Sequence, residues 1–232
     1  MGKREVTGVR WRVIRLAVCA GLAAGLAACV PPAVPPAMEL YDAYQVPATP
    51  PRDRDAVRVK VSLGEQRVYV KEAGRMLMVM PVTVGRAGNP TPEGEFRITR
   101  KVERHRSREF GFAVRGDEVR RARADEVEAG WRFIGFPLPY WCEIAPGVGF
   151  HTGWIRHQSA SVGTIRMHRN VAPVFFSMVD VCTPVSIAYA HPEDETHGFI
   201  PLPPDSGPLE DHPPEFYIGD GYFQPTGAAA GG

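Results

Sequence analysis

The most informative part of this chain is SVGTIR at residues 161–166, together with GFHTG at residues 149–153. The two segments hold an imidazole at His151 and hydroxyl groups at Ser161 and Thr164. A hydroxyl side chain and an imidazole are the components of a nucleophile and its general base. These residue types therefore indicate a candidate catalytic or binding site.

An export signal is predicted at residues 1–29. Five Lys or Arg residues precede an apolar run at residues 16–28, which is too short to span a bilayer as a helix. The run ends in LAAC, which resembles a bacterial lipobox and predicts a lipid anchor on Cys29. An ordinary secretion signal with an incidental cysteine is the alternative. The lipoprotein interpretation predicts the periplasmic face of the cell envelope, and Val30 in place of an acidic residue favours the outer membrane.

Two proline-rich segments flank a central region. Residues 30–56 contain seven prolines among alanines and short polar residues, a composition that predicts a semi-rigid tether. Residues 191–232 carry eight acids, eight prolines and no Lys or Arg, and are predicted to be a disordered tail. Residues 57–190 remain, and they are numerous enough for one domain with its own core.

Hydrophobic alternation predicts strands within residues 57–190. Val57, Val59 and Val61 alternate with polar residues, and residues 76–84 are apolar on both faces, which predicts a central strand. The strongly charged residues 101–130 are predicted to form an insertion with a helix over residues 117–128. A second short helix, capped by Asn170, is predicted to follow the motif region. The fold class is therefore mainly β, with one or two short helices.

The other cysteines and histidines offer less chemistry. Cys142 and Cys182 either form a disulfide, which export permits, or remain free thiols. The strand phase predicts that Cys142 points inward among apolar neighbours. The three histidines nearest the motifs show no recognised zinc-binding spacing, so neither a metal nor a cofactor is predicted. These histidines are His105, His157 and His168.

Charge suggests an anionic partner for the domain. Residues 57–190 carry 20 Lys or Arg against 13 Asp or Glu, a net charge of +7. Such a domain attracts an anionic envelope polymer through its field. Nucleic acid would satisfy the same charge, but the export signal argues against it.

Several segments, taken in order, resemble the catalytic domain of YkuD-type L,D-transpeptidases. In that family a His-x-Gly is followed by Ser-His-Gly-Cys-x-Arg. The resemblance covers nearly all of residues 57–190 and implies an L,D-transpeptidase-like β-sandwich. The matching pieces are TPEGEF at 91–96, HRS at 105–107, PY at 139–140, GFHTG at 149–153, SASVGTIR at 159–166 and TPV at 183–185.

The resemblance also implies roles for the motif residues. The family's enzymes cross-link peptidoglycan: a cysteine thiolate attacks a donor stem peptide, expels D-alanine and passes the acyl group to an amine or to water. By position, His151 corresponds to the general base and Thr164 to the nucleophile. The other implied roles are oxyanion and loop positions for Ser161 and Gly163, and substrate binding for Gly153 and Arg166.

Two departures from the motif bear on activity. Thr164 stands where the family has cysteine, and Val162 stands where it has histidine. A thiol has a pKa near 8.5 and becomes a thiolate beside an imidazole, whereas a threonine hydroxyl is a far weaker acid. Loss of the nucleophile of a serine protease removes on the order of a million-fold in turnover. Catalysis is therefore predicted to be lost or reduced.

Three functions remain as hypotheses. The first is an L,D-transpeptidase-family lipoprotein that engages peptidoglycan stem peptides with lost or reduced catalysis. The second is an active L,D-transpeptidase or L,D-carboxypeptidase that uses Thr164 with His151. The third is a non-enzymatic tether between the wall and the membrane, anchored by lipid on Cys29.

Overall fold

The computed structural model describes residues 36–209 and 211–223. These residues form ten β-strands and four short α-helices, so the prediction of a mainly β fold is confirmed. The strands are β1 Val57–Ser62, β2 Arg67–Glu72, β3 Arg75–Thr83, β4 Gly94–Arg97, β5 Arg100–Arg115, β6 Glu118–Arg123, β7 Arg132–Ala145, β8 Val148–Thr152, β9 Ile165–Met167 and β10 Pro184–Ala188. The helices are α1 Ala37–Asp42, α2 Ala172–Met178, α3 Pro192–His197 and α4 Pro214–Ile218.

The strands follow one hydrogen-bonded order, β4-β10-β1-β2-β3-β9-β8-β7-β5-β6. Strand β3 joins two halves, because it pairs with β2 along its length and with β9 at its last two residues. The β1–β10 and β8–β9 pairs are parallel. Both halves contribute to one buried apolar cluster, which includes Val59 and Val61 from the first half and Phe150 and Ile165 from the second. The two halves therefore share one core, as the layers of a sandwich do.

Burial follows the predicted hydrophobic pattern. In β1, the side chains of Val57, Val59 and Val61 are buried and that of Arg58 is exposed. The last seven residues of β3 are all buried, as expected for a strand with neighbours on both sides and cover on both faces. Burying each such aliphatic side chain contributes roughly 1.5–3 kcal/mol to folding.

Helix α2 closes the core after the motif region. It buries Ala172, Phe175 and Met178, which recur every three residues along one face. The predicted cap at Asn170 is wrong. Its side-chain amide instead donates to the backbone carbonyl of Asp42 at 2.6 Å and so joins the motif region to the end of α1.

The prediction of a helix over residues 117–128 is also wrong. Residues 118–123 form β6, which pairs antiparallel with β5, and a 3-10 turn follows at residues 124–126. A tight turn at Gly116, whose φ is +57°, reverses the chain and sets up this pairing. The ring of Trp131 lies 4.5 Å from the guanidinium of Arg115 and 4.8 Å from that of Arg120. The charged residues 101–130 thus extend the sheet, and cation–π contacts stabilise the hairpin.

Residues 36–56 pack against the domain, which contradicts the predicted tether for this part of residues 30–56. Tyr41 in α1 is 2% exposed, and its hydroxyl accepts a hydrogen bond from the backbone N–H of Ile155 at 2.9 Å. Nε2 of His168 lies 2.8 Å from the carbonyl oxygen of Tyr41. The proline content predicted a spacer, but one buried aromatic residue is enough to hold a short segment against the domain. Residues 1–35, which include the predicted signal and Cys29, lie outside the described residues.

The predicted disorder of residues 191–232 is wrong for the described part, residues 191–209 and 211–223. Helix α3 begins the segment, and its Glu193 carboxylate binds the Nζ atoms of Lys60 at 2.9 Å and Lys71 at 2.6 Å. Helix α4 buries Tyr217 to 1% exposure. Glu193 finds its counter-charges in β1 and β2, and Asp211 and Asp220 find theirs in β6 and β5, all far away in sequence, which is why composition suggested a solvated tail.

Replacing Glu193 by glutamine is expected to lower the free energy of unfolding at pH 7 by about 2 kcal/mol. Burial raises the pKa of Glu193, but hydrogen bonds from Lys71 and Lys60 outweigh it and lower the pKa from 4.5 to about 2. This stabilisation is therefore full above about pH 4.5 and is lost as the pH falls towards 2. Urea unfolding measured across this pH range checks it.

The matched control for this variant is Glu195→Gln, an exposed acid on the same helix. We expect it to change stability by less than about 0.5 kcal/mol. Equal losses in the two variants would contradict a specific role for the Glu193 pair.

Neither remaining cysteine forms a disulfide. Cys142 is buried, as its strand phase predicts, and Cys182 is exposed, and both are free thiols. Within residues 36–209 and 211–223, no helix combines the length and hydrophobicity needed to cross a bilayer.

Candidate functional site

Strands β8 and β9 place two of the predicted site residues on one side of the sheet. Alternate residues point in opposite directions along a strand. Phe150 and Ile165 enter the core, so their chain neighbours His151 and Arg166 face a large cavity. His151 and Arg166 are also register partners across the parallel β8–β9 pair. Hydrophobic alternation thus brings together two polar residues from separate motifs.

The imidazole of His151 faces the hydroxyl of Thr164. Its Nδ1 lies 2.7 Å from the carbonyl oxygen of Thr152, which can only accept a hydrogen bond, so Nδ1 carries the proton. Nε2 is then an acceptor, and it lies 2.9 Å from Oγ1 of Thr164. The Thr164 hydroxyl therefore donates to the imidazole, which is the orientation that a nucleophile and its base require.

Ser161 completes this chain of hydrogen bonds. Its Oγ lies 2.8 Å from Oγ1 of Thr164, and because Thr164 donates to the imidazole, Ser161 donates to Thr164. The Ser161 side chain is fully buried. Its backbone N–H donates to the carbonyl of Val84 at 3.0 Å, and its carbonyl accepts from the N–H of Arg86 at 3.0 Å. The end of β3 therefore holds the motif loop, and Ser161 holds the Thr164 hydroxyl.

Glycines allow the loop to adopt this shape. Gly163 has a φ of +90°, a conformation that other residues rarely adopt. A Cβ on Gly85 would lie 2.3 Å from the carbonyl oxygen of Asn89, so only glycine permits that close approach of backbones beside the motif loop. A Cβ on Gly153 would lie 3.1 Å from the aliphatic stem of Arg166. Gly153 therefore makes room for the arginine stem.

Burial makes His151 a weak base. The imidazole is 4% exposed, and this burial, together with the nearby positive charge of Arg166, lowers its pKa to about 3. General base catalysis is most effective when the pKa lies near the working pH. The hydrogen bond to Thr164 is in place, but the imidazole has little tendency to accept its proton.

The guanidinium of Arg166 is available for a ligand. Among the described residues it has no hydrogen-bond or ion-pair partner. Burial, and secondarily the positive charge of Arg156, lowers its pKa. A half-buried cation without an ion-pair partner is costly, and an anionic group of a ligand would offset that cost.

Aromatic and sulfur-containing residues beside the site have structural roles. The ring of Trp141 lies 6.1 Å from that of His151 and 5.1 Å from that of His105, so it packs between them. Cys142, the next residue, points into the core, and burial raises the pKa of its thiol to about 12. Cys142 therefore supplies no thiolate to the site.

Two of the other candidate histidines, His157 and His168, contact backbone carbonyls. Nε2 of His157 lies 2.8 Å from the carbonyl of Pro203, and His168 contacts Tyr41. In the part of the chain that the structure describes, no group of three His, Cys, Asp or Glu side chains is arranged to hold a metal ion.

The C-terminal segment, residues 191–209 and 211–223, forms one wall of the site, which the sequence analysis did not predict. The cavity beside Thr164 has a volume of about 1250 Å³, and its lining includes Leu209, Tyr217 and Tyr222. The guanidinium of Arg106 anchors this segment by binding the carbonyls of the last two residues of α4 and of the residue that follows the helix. Aromatic residues recur at 216–223 (FYIGDGYF), and this density was the signal of packing within an otherwise acidic tail.

The contacts of Arg106 are numerous. Its Nη1 donates to the carbonyls of Gly135 at 3.0 Å and Tyr217 at 2.9 Å. Its Nη2 donates to the carbonyls of Ile218 at 3.3 Å and Gly219 at 2.9 Å. A cation at the end of a helix also complements the partial negative charge of the helix C-terminus.

The fold and the hydroxyl–imidazole pair define a mainly β domain with a candidate acyl-transfer site. Residues 56–187 match the family model of YkuD, the L,D-transpeptidase catalytic domain, and the chain belongs to this family. A comparison with curated proteins found no significant match.

Solved structures with a similar fold include two L,D-transpeptidases. The one from Mycobacterium smegmatis shows 17% identity, covers 57% of this chain and 58% of that chain, and has a TM-score of 0.44. The one from Stackebrandtia nassauensis shows 21% identity, covers 67% of this chain and 66% of that chain, and has a TM-score of 0.43. The chain therefore spans less than two thirds of the length of either structure.

Proposed function

We propose that this protein binds peptidoglycan stem peptides and that its L,D-transpeptidase catalysis is lost or reduced. The observation that carries the proposal is the 2.9 Å contact between the Thr164 hydroxyl and the imidazole of His151, at a position where the family motif implies a cysteine thiol; burial also lowers the pKa of that imidazole. A hydroxyl attacks an acyl carbon only with strong help from a base, whereas a thiolate does not need it. Neither member of this pair is suited to form the acyl-enzyme.

Retention of the loop supports binding as the remaining activity. The cavity of about 1250 Å³ is large enough for a peptide, and Arg166 offers a cation to a substrate carboxylate. Within this proposal, His151, Ser161, Gly163 and Gly153 keep the positions that the family motif implies. The predicted lipid on Cys29 would place the domain at the periplasmic face of the outer membrane, within reach of the wall.

Incubation of the protein with tetrapeptide-containing muropeptides is expected to release no detectable D-alanine. The loss of the family nucleophile accounts for this, since such a loss costs on the order of a million-fold in turnover. Liquid chromatography with mass detection of the muropeptides checks it. Release that disappears in His151→Ala would overturn the proposal and favour the active alternative.

The active alternative has one observation in its favour. Ser161, Thr164 and His151 form a continuous hydrogen-bond chain, with distances of 2.8 and 2.9 Å, that orients the Thr164 hydroxyl. This enzyme would be an L,D-transpeptidase or an L,D-carboxypeptidase that uses Thr164. The D-alanine assay separates it from the binding function directly.

A tether without a specific peptide site is the third candidate, supported by the net charge of +7 on residues 57–190, which the docked acids of the C-terminal segment offset. Attraction of this kind is screened by salt, because the Debye length falls to about 3 Å at 1 M ionic strength. Binding to isolated sacculi that survives 1 M salt favours a specific groove. Binding that is lost in 1 M salt favours nonspecific attraction by the net charge.

A further inference from the structure

The cavity beside Thr164 carries more positive charge than catalysis on a peptide bond requires. Seven arginines and three acids line it, so the lining has a net charge of +4 when its histidines are neutral. Each of the three acids is already bound by one arginine. These pairs are Arg100–Glu143 at 2.7 Å, Arg121–Asp211 at 2.9 Å and Arg123–Glu109 at 3.0 Å.

The four other arginines of the lining form no ion pair within 4.0 Å among the described residues, although the charge of Arg156 helps to lower the pKa of the nearby Asp205 carboxylate. They are Arg86, Arg108, Arg156 and Arg166. The first three lie outside the motif that identifies the family. Arg86 and Arg156 line the same cavity as Arg166, and after burial their charges contribute to lowering the pKa of Arg166.

The surrounding structure holds Arg156 in place. Its backbone N–H donates to Oγ1 of Thr83 at 2.7 Å, and the same hydroxyl lies 3.1 Å from its carbonyl oxygen. A Cβ on Gly207 would lie 2.3 Å from Nη1 of Arg156, so the guanidinium packs directly against the backbone of the C-terminal segment. The fold therefore holds the guanidinium of Arg156 beside the site, although a guanidinium exposed to solvent would cost less free energy.

Like charges held together in excess over counter-charges lower stability, and a ligand with several negative groups would relieve the repulsion. We propose that the cavity selects ligands that carry two or more free carboxylates, which Arg86 and Arg156 bind beside Arg166. This inference rests on the proposed binding of stem peptides and narrows it. The stem peptide bound here is one whose carboxylates are free, and amidation of those carboxylates weakens its binding.

Calorimetric titration of the full chain with two matched pairs of probes tests the proposal. One pair is a stem tetrapeptide with free carboxylates and the same peptide amidated. The other pair is triglutamate and triglutamine, which are not stem peptides. We expect the first member of each pair to bind about tenfold to a hundredfold more tightly, the range that charge-assisted hydrogen bonds supply.

Two variants distinguish a specific site from a general field. Arg156→Gln removes an unpaired cation and is expected to weaken the first probe of each pair about tenfold. Arg123→Gln removes the same charge from the same cavity, but its arginine already contacts Glu109 and Asp125. We expect Arg123→Gln to have less than a threefold effect, with thermal melting as the check that both variants fold.

Each outcome decides between the two proposals. Equal binding of the free and amidated peptides overturns the inference and leaves the proposed function standing. Carboxylate-dependent binding of triglutamate, lost in Arg156→Gln, without any binding of the tetrapeptide supports the inference and overturns the proposed function. Equal losses in Arg156→Gln and Arg123→Gln, or no binding of any probe, overturn the inference.

Discussion

Replacing Thr164 by cysteine is expected to create a site that a carbapenem acylates, whereas the natural chain forms no adduct. The new thiol would lie within hydrogen-bonding reach of His151, in place of the hydroxyl now 2.9 Å away. A thiol has a pKa near 8.5, and its thiolate is a strong nucleophile. The gain in acylation rate is on the order of a thousand-fold or more, because a neutral hydroxyl with a weak base is replaced by a nucleophile that ionises near neutral pH.

The pH dependence of this variant follows from the same geometry. His151 is neutral in the natural chain, since burial lowers its pKa to about 3. A thiolate beside it favours the imidazolium, so the pKa of His151 rises in the cysteine variant. Acylation is then expected to increase with pH as the thiol of Cys at this position ionises, up to a plateau above its pKa.

Intact-mass analysis after incubation with a carbapenem measures the result. Thr164→Ser is the matched control, because it keeps the hydroxyl and removes only the methyl group, and we expect no adduct. Adding His151→Ala to Thr164→Cys is expected to reduce the rate, since the imidazole no longer assists ionisation. An adduct on the natural chain that disappears in Thr164→Val would contradict lost catalysis and establish the hydroxyl as a nucleophile.

Replacing Arg106 by alanine is expected to release the C-terminal segment from the wall of the cavity. The guanidinium donates to four backbone carbonyls, three of which belong to residues 217–219. Hydrogen bonds from a charged donor contribute about 1.5–3 kcal/mol each. Their loss is partly offset by water, and we expect about 3 kcal/mol in the local opening of the segment, or roughly a hundredfold.

Limited proteolysis with chymotrypsin measures this opening. Cleavage after the buried Tyr217 is expected to accelerate roughly a hundredfold in Arg106→Ala, while the midpoint of thermal unfolding of the sheet changes little. Arg104→Ala is the matched control, because its side chain is 54% exposed and it reaches the segment only through Asp220 at 3.6 Å and the ring of Phe223. Equal protection of the natural chain and Arg106→Ala would show that aromatic packing alone holds the segment.

Local patterns predicted the central strands and the identity of the site. Alternation at Val57, Val59 and Val61 required one buried face, and the structure buries them. The same alternation sends Phe150 into the core and His151 into the cavity. Strand β6 was not predicted, because it lies at the edge of the sheet and charged residues occupy both of its faces. Without an apolar stripe, the hydrophobic period does not distinguish a strand from a helix. Its pairing with β5 follows instead from the turn at Gly116.

The docked segments could not be predicted from composition. Composition alone makes Glu193 a solvated acid. Only folding brings its carboxylate to Lys60 and Lys71, which are more than 120 residues away in sequence. Prolines around Tyr41 suggested a spacer, but the ring finds a pocket beside Ile155 that does not exist in the unfolded chain. Long-range ion pairs and single buried aromatic residues produce no periodic pattern in the sequence, so composition alone does not predict whether such segments dock.

The residue types of this chain establish its family and the presence of a hydroxyl group at Thr164, because covalent identity does not depend on packing. Folding establishes how basic His151 is and which arginines form no ion pair. Both properties depend on burial and on distances between residues that are remote in the chain, and the environment that sets them comes into being only when the sheet closes.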